Sequence, residues 1–181
     1  MNKIAITAAR HALGAAAAIL SFVAVSAQEP ADYVDPFIGT NGMGHTFPGA
    51  CVPFGAVQLS PDTDTIPHNV NGVYQKRAYE YCAGYRHGDK TIVGFSHTHF
   101  SGTGHSDLGD ILVMPSVGDV KLNPGTADDP DCGYRSRFSH ESESASPGYY
   151  AVTLDDTGVR AELTATPRTG VHRYTLSLIH I

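Results

Sequence analysis

Tyr149-Tyr150-Ala151-Val152-Thr153-Leu154-Asp155-Asp156-Thr157-Gly158-Val159-Arg160-Ala161-Glu162-Leu163-Thr164-Ala165-Thr166 reads as two β-strands joined by a tight turn. From Val159 to Ala165 the odd positions are apolar and the even ones mainly polar. That period of two belongs to a strand with one buried and one wet face. Asp155-Asp156-Thr157-Gly158 supplies turn chemistry between the two runs.

Working outward, the same grammar recurs. Gly170 to Thr175 begins a further strand, and Tyr134 to Glu141 alternates roughly. Towards the N-terminus, Tyr33 to Ile38, Val52 to Leu59, Thr91 to Phe95 and Ile111 to Met114 also read as strands. Ser60-Pro61-Asp62-Thr63-Asp64-Thr65 reads as a turn, as do Asn123-Pro124-Gly125 and Asp128-Asp129-Pro130-Asp131. The segment 66–85, with Tyr74, Tyr79, Tyr81 and Tyr85, fits neither template. No ten-residue stretch after the first 27 residues has helical periodicity. Short strands with Gly/Pro turns predict an all-β, antiparallel β-sandwich.

The first 27 residues are a different kind of sequence. Lys3 and Arg10 precede an apolar run from Ala12 to Val25, and Val25-Ser26-Ala27 places small residues before a cleavage point. This is the pattern of a secretory signal peptide. The apolar run is shorter than the ~20 residues a spanning helix needs. Export to the periplasm or beyond, with no membrane span after cleavage, is the expectation. Loss of Lys3 and Arg10 would move the formal charge from −6 to −8 (two cations, no acid). No basic cluster exists, which argues against nucleic acid as a partner. Cys51, Cys82 and Cys132 allow one disulfide or buried thiols; no Cys-x-x-Cys occurs, so a zinc ribbon has no support.

Chemistry concentrates in 94–110, where Gly94-Phe95-Ser96-His97-Thr98-His99 leads to His105-Ser106-Asp107-Leu108-Gly109-Asp110. Three histidines, two aspartates and four glycines between apolar runs mark a loop that carries function. On an extended backbone His97 and His99 share one face, and His105 and Asp107 repeat their spacing. A zinc or iron site is one reading, although the spacing matches no dense metal motif. A polar small-molecule or sugar site is another. His45 follows Gly42-Met43-Gly44 on a glycine-rich loop beside Phe47 and Pro48. The near-adjacent pairs Asp62/Asp64, Asp107/Asp110, Asp128/Asp129 and Asp155/Asp156 are not separable from turn residues. Neither Gly-x-Ser-x-Gly nor a P-loop is present.

Several blocks together resemble one family. Tyr33-Val34-Asp35-Pro36-Phe37-Ile38-Gly39-Thr40, Gly44-His45-Thr46-Phe47-Pro48-Gly49-Ala50, Val52-Pro53-Phe54-Gly55 and Ser60-Pro61-Asp62-Thr63 resemble the start of the family-92 glycoside hydrolases. Gly94 to His99 through Gly109-Asp110-Ile111-Leu112, Ser136 to His140, Pro147 to Tyr150 and Ala161 to Thr166 are similar to later blocks of that family. The resemblance spans about residues 32 to 175.

That resemblance implies a calcium-dependent exo-α-mannosidase that inverts the anomeric centre and trims α-mannoside glycans. It implies an N-terminal β-sandwich followed by an (α/α)6 barrel, with both catalytic carboxyl groups and most calcium ligands in the barrel. This chain would then be an N-terminal fragment, inactive alone, with no catalytic or metal-ligating residue of its own. His45, Asp62, Tyr85, His97, His99, His105 and Asp107 would face the sugar pocket. Members often carry Cys where His105 stands. Residues 28–175 would be sandwich. Leu176-Ser177-Leu178-Ile179-His180-Ile181 departs from the family pattern and reads as a non-native tail. A stand-alone carbohydrate-binding sandwich is the alternative, and a small metalloenzyme using His97, His99 and His105 a third. Linkage preference stays open.

Overall fold

The computed structural model describes residues 28–65, 67–99 and 109–176. The signal-peptide reading, His105, Asp107 and residues 177–181 of the tail lie outside the described residues. Residues 28–32 belong to a first compact unit and Tyr33 onward to a second. In the first, the Glu29 amide donates to Asp32 Oδ2 at 2.9 Å.

Among the described residues of the second unit there are eleven short strands, and every pairing between them is antiparallel. They are β1 (Ala50–Cys51), β2 (Gln58–Asp62), β3 (Asn69–Val70), β4 (Val73–Tyr74), β5 (Thr91–Ile92), β6 (Gly94–Ser96), β7 (Ser136–Arg137), β8 (Ser144–Ser146), β9 (Tyr149–Thr153), β10 (Arg160–Ala165) and β11 (Gly170–Thr175). One sheet runs β11-β10-β9-β8 and a second β1-β2-β6, with two-stranded pairs β3-β4 and β5-β7 beside them. The described residues contain 3-10 turns but no α-helix, so the all-β expectation holds.

The alternating pattern of 159–165 is realised as read. Val159, Ala161 and Leu163 are buried, while Thr164 is exposed. They share one core with Tyr150 and Val152 of neighbouring β9, with Leu154, and with Leu59 and Phe95 from the other sheet. This is the sandwich: two sheets each hide one apolar face against the other.

Four local readings are corrected. Tyr33 to Ile38 is a run of turns, because Asp35 Oδ1 accepts from the Phe37 amide at 2.9 Å and draws the chain into an Asx turn. Val52 to Leu59 is interrupted: Gly55 N–H closes a turn onto the Val52 carbonyl at 2.9 Å, with Phe54 at φ 60°. Ser60-Pro61-Asp62 is strand, not turn. Phe95 exchanges both its backbone bonds with Val113, so Pro61, opposite Phe95, sits at a pair that needs no N–H towards β6. Ile111 to Met114 contributes only the single bridge at Val113, since Ile111 lies at φ 57°.

The stretch 66–85 holds the β3-β4 hairpin, turned at Asn71-Gly72 with φ 52° and 80°, and a 3-10 turn at Lys76–Tyr81. All three cysteines are free thiols; Cys51 and Cys132 are exposed and Cys82 is buried.

Candidate functional site

β2 and the segment after β6 place Asp62 and His99 side by side. His99 Nε2 lies 3.0 Å from Asp62 Oδ1, its Nδ1 lies 2.6 Å from the Gln58 carbonyl, and its amide donates to Gln58 Oε1 at 3.2 Å. The Ser96 hydroxyl is 3.1 Å from Nε2. His99 is only 3% exposed. Burial opposes charge on the ring, but the Asp62 carboxylate and the Gln58 carbonyl outweigh it and raise its pKa above that of an ordinary histidine. Both ring nitrogens face acceptors, which is the arrangement of a doubly protonated imidazolium.

The pair is tightly framed. Gly84, at φ +76°, lies so close that a Cβ there would come within 2.2 Å of Asp62 Oδ1. The Phe47 ring covers His99 at a centroid distance of 5.1 Å. Beyond Asp62, the buried Arg135 guanidinium donates to the Thr63 and Asp64 carbonyls and to Thr91 Oγ1, pinning the end of β2 to β5. Burial pulls the Arg135 pKa down. Asp62 Oδ2 is buried and, among the described residues, has no hydrogen-bond partner.

His97 takes a different course. β6 ends at Ser96, so the extended backbone that would give His97 and His99 a common face does not continue through them. His97 Nδ1 meets the Ile111 carbonyl at 2.9 Å and its Nε2 meets His172 Nε2 at 3.1 Å; His172 Nδ1 is 2.7 Å from the Tyr174 hydroxyl. Gly170 backs this chain, since a Cβ there would fall 2.6 Å from His97 Cδ2. Burial, then His97, lower the His172 pKa. His45, at φ 53°, holds its Nδ1 2.6 Å from the buried Cys82 sulfur, with Tyr79 edge-on at 4.8 Å. Burial pushes the Cys82 thiol up.

Tyr85 is buried and donates to Glu143 Oε2 at 3.0 Å. Glu143 also accepts from Tyr150 at Oε1 (2.6 Å) and meets His140 Nδ1 at 2.6 Å. His87 stacks on His140 with centroids 4.0 Å apart. Burial, then Glu143, raise both tyrosine pKa values.

Of the residues expected from sequence, the structure therefore joins Asp62 with His99 and leaves His45, His97 and Tyr85 with separate partners. His87, His140, Glu143 and His172 were not singled out from sequence. The Ser139–Glu143 turn, with His140 and Glu143 three apart, is the signal that could have found two of them. Among the described residues, His87, His140 and Glu143 are the three potential metal ligands that converge. Two imidazoles and one carboxylate do not suit calcium, which takes six to eight oxygens.

The chain is similar to proteins of one family. The model of the glycosyl hydrolase family 92 N-terminal domain matches residues 33–177. A family GH92 α-mannosidase of Bacteroides thetaiotaomicron, solved in complex with mannoimidazole, is 50% identical with a TM-score of 0.74, over 82% of this chain and 18% of that one. A second solved GH92 glycosyl hydrolase, ccman5, is 33% identical with a TM-score of 0.62, over 81% and 19%. A protein of Arthroderma benhamiae described as an uncharacterized secreted glycosidase is 32% identical over 162 residues, 83% of this chain and 18% of its own length. The chain thus spans about a fifth of the length of the relatives it matches.

Proposed function

This chain belongs to glycosyl hydrolase family 92, through that family's N-terminal domain, and from that premise we propose that it is the sandwich part of an exported, inverting exo-α-mannosidase. The substrates would be terminal α-mannosides of N-glycans or mannans. One observation carries the reading: half of the aligned residues are identical to those of an α-mannosidase solved with mannoimidazole, and the folds superpose. Export is supported by the leader-like residues 1–27 and by the description of the Arthroderma relative as secreted. Among the described residues no helix is long and apolar enough to cross a membrane.

Inversion needs a carboxylic acid to protonate the leaving oxygen and a carboxylate across the ring to activate water, roughly 6.5–9.5 Å apart. Both are expected outside this chain, as are most ligands of the calcium that belongs to the same proposal. This chain's own part is binding. His45, Asp62, Tyr85, His97, His99, His105 and Asp107 are the residues offered to the sugar. Of these, His45 and His97 are partly exposed and support the idea best, whereas Asp62, Tyr85 and His99 are buried and would act by holding the surrounding segments in place.

The test is product analysis on the complete protein. Proton NMR of an α-mannobiose digest is expected to show β-mannose first, with EGTA abolishing release. Residues 28–181 expressed alone are expected to release none. Binding to mannan with no mannose released by the complete protein would overturn the enzyme reading in favour of a binding module.

A further inference from the structure

His87, His140 and Glu143 have an arrangement that the mannosidase reading does not use. One potential ligand atom from each lies within 4.8 Å of the others. The two histidines come from distant segments. His87 follows the buried Tyr85, and His140 lies in the turn between β7 and β8. Their rings stack with an interplanar angle of 21°, and each is held from the side by a phenylalanine edge, Phe37 on His87 and Phe138 on His140.

Glu143 is held more firmly still. Its side chain is 1% exposed. Tyr150 donates to one oxygen and Tyr85 to the other. Carboxylates that bind metals are themselves oriented by such outer hydrogen bonds. His140 is accessible, with 39% of its side chain exposed, so the cluster is open on one side.

We propose that His87, His140 and Glu143 form a binding site for a divalent transition metal, zinc being the best match, with solvent in the fourth position. Two imidazoles with one carboxylate and an open position is a donor set that zinc accepts in tetrahedral geometry. Tetrahedral ligands about 2.0–2.1 Å from zinc lie about 3.3 Å apart, so the ligand atoms are near the needed separation, and the stacked rings must turn out of their parallel arrangement for both lone pairs to meet the ion. The contact of His140 Nδ1 with Glu143 Oε2 at 2.6 Å is the place where a proton now sits. Zinc takes that position on Nδ1, and the imidazole proton moves to Nε2, so the ring binds as the neutral ligand that zinc requires. Magnesium and calcium, which prefer oxygen ligands, do not compete. The bound ion would clip the segment after Tyr85 to the turn before β8.

The test is zinc titration of the chelator-treated complete protein by calorimetry, beside His140→Gln and His87→Gln. The wild type is expected to show a saturable site, and each variant to bind at least about 10-fold more weakly. Cobalt in place of zinc is expected to give the intense visible bands of a tetrahedral ion, and both variants to lose them. Both substitutions leave the tyrosine bonds to Glu143 in place, so the apo variants are expected to melt cooperatively. Absence of a saturable site, or affinity and cobalt spectrum unchanged in both variants, would overturn the proposal. If one variant fails to fold, the other decides.

Discussion

The His99 imidazole bridges the two ends of β2: its Nδ1 faces the carbonyl of Gln58, the first residue, and its Nε2 faces the carboxylate of Asp62, the last. A strand fastened at both ends by a single ring has stability that depends on that ring's charge. His99 has a raised pKa in the fold. The stabilisation it contributes is therefore fully present below the unfolded value of about 6.5. It is lost as pH rises through the higher folded value. The melting temperature is expected to fall from pH 6 towards alkaline pH, and His99→Gln to flatten that slope. Asp62→Asn leaves a buried imidazolium unpaired and is expected to cost about 3–5 kcal/mol at pH 6. A wild-type melting curve indifferent to pH in this range would contradict the assignment.

Gly84 has no room for a side chain. Its φ of +76° disfavours any Cβ, and the added atom would press on Asp62 Oδ1 and His99 Nε2. Gly84→Ala is expected to destabilise by more than about 1 kcal/mol. It should also weaken the pH dependence just described, because the carboxylate must move off the ring. Chemical denaturation at pH 6 and pH 8 measures both effects.

Glu143 offers a cleaner hydrogen-bond test. Tyr150→Phe removes one hydroxyl and leaves Glu143 Oε1 without that donor while the ring still fills the core. The expected loss is about 1–3 kcal/mol, read from the urea midpoint at unchanged slope. A midpoint within error of wild type would mean that Glu143 finds another donor.

Core packing gives the scale against which these numbers are judged. Leu163→Ala, at a side chain 1% exposed between the two sheets, is expected to cost about 2–5 kcal/mol. Arg168→Ala, in the exposed turn between β10 and β11, is expected to stay within about 0.5 kcal/mol. Equal losses at the two positions would contradict the sandwich.

What the sequence made legible follows how local each signal is. Val159 to Thr166 was readable because one residue in two meets the core, and nothing distant is needed to see that. Pro61 misled because its place in a strand depends on Phe95 turning its backbone to Val113, a contact that lies far along the chain. The β3-β4 hairpin carried an Asn71-Gly72 turn signal in plain view, hidden by the surrounding tyrosines. Of the site, Asp62 and His99 were both singled out, but as members of a list. Their pairing rests on the β2-β6 register, which one sequence does not state. His172 escaped notice because its partner, His97, lies 75 positions earlier.

The Ile111 carbonyl can only accept, so His97 must keep a proton on Nδ1. From there the order is forced: His97 Nε2 accepts from His172 Nε2–H, and His172 Nδ1 accepts from Tyr174. One added proton is accommodated on His172 Nδ1 if the Tyr174 hydroxyl turns to accept. A second would set two N–H groups head to head across 3.1 Å. The facing Nε2 atoms thus share a single proton, and the donors run one way, from the Tyr174 hydroxyl through both rings to the Ile111 carbonyl.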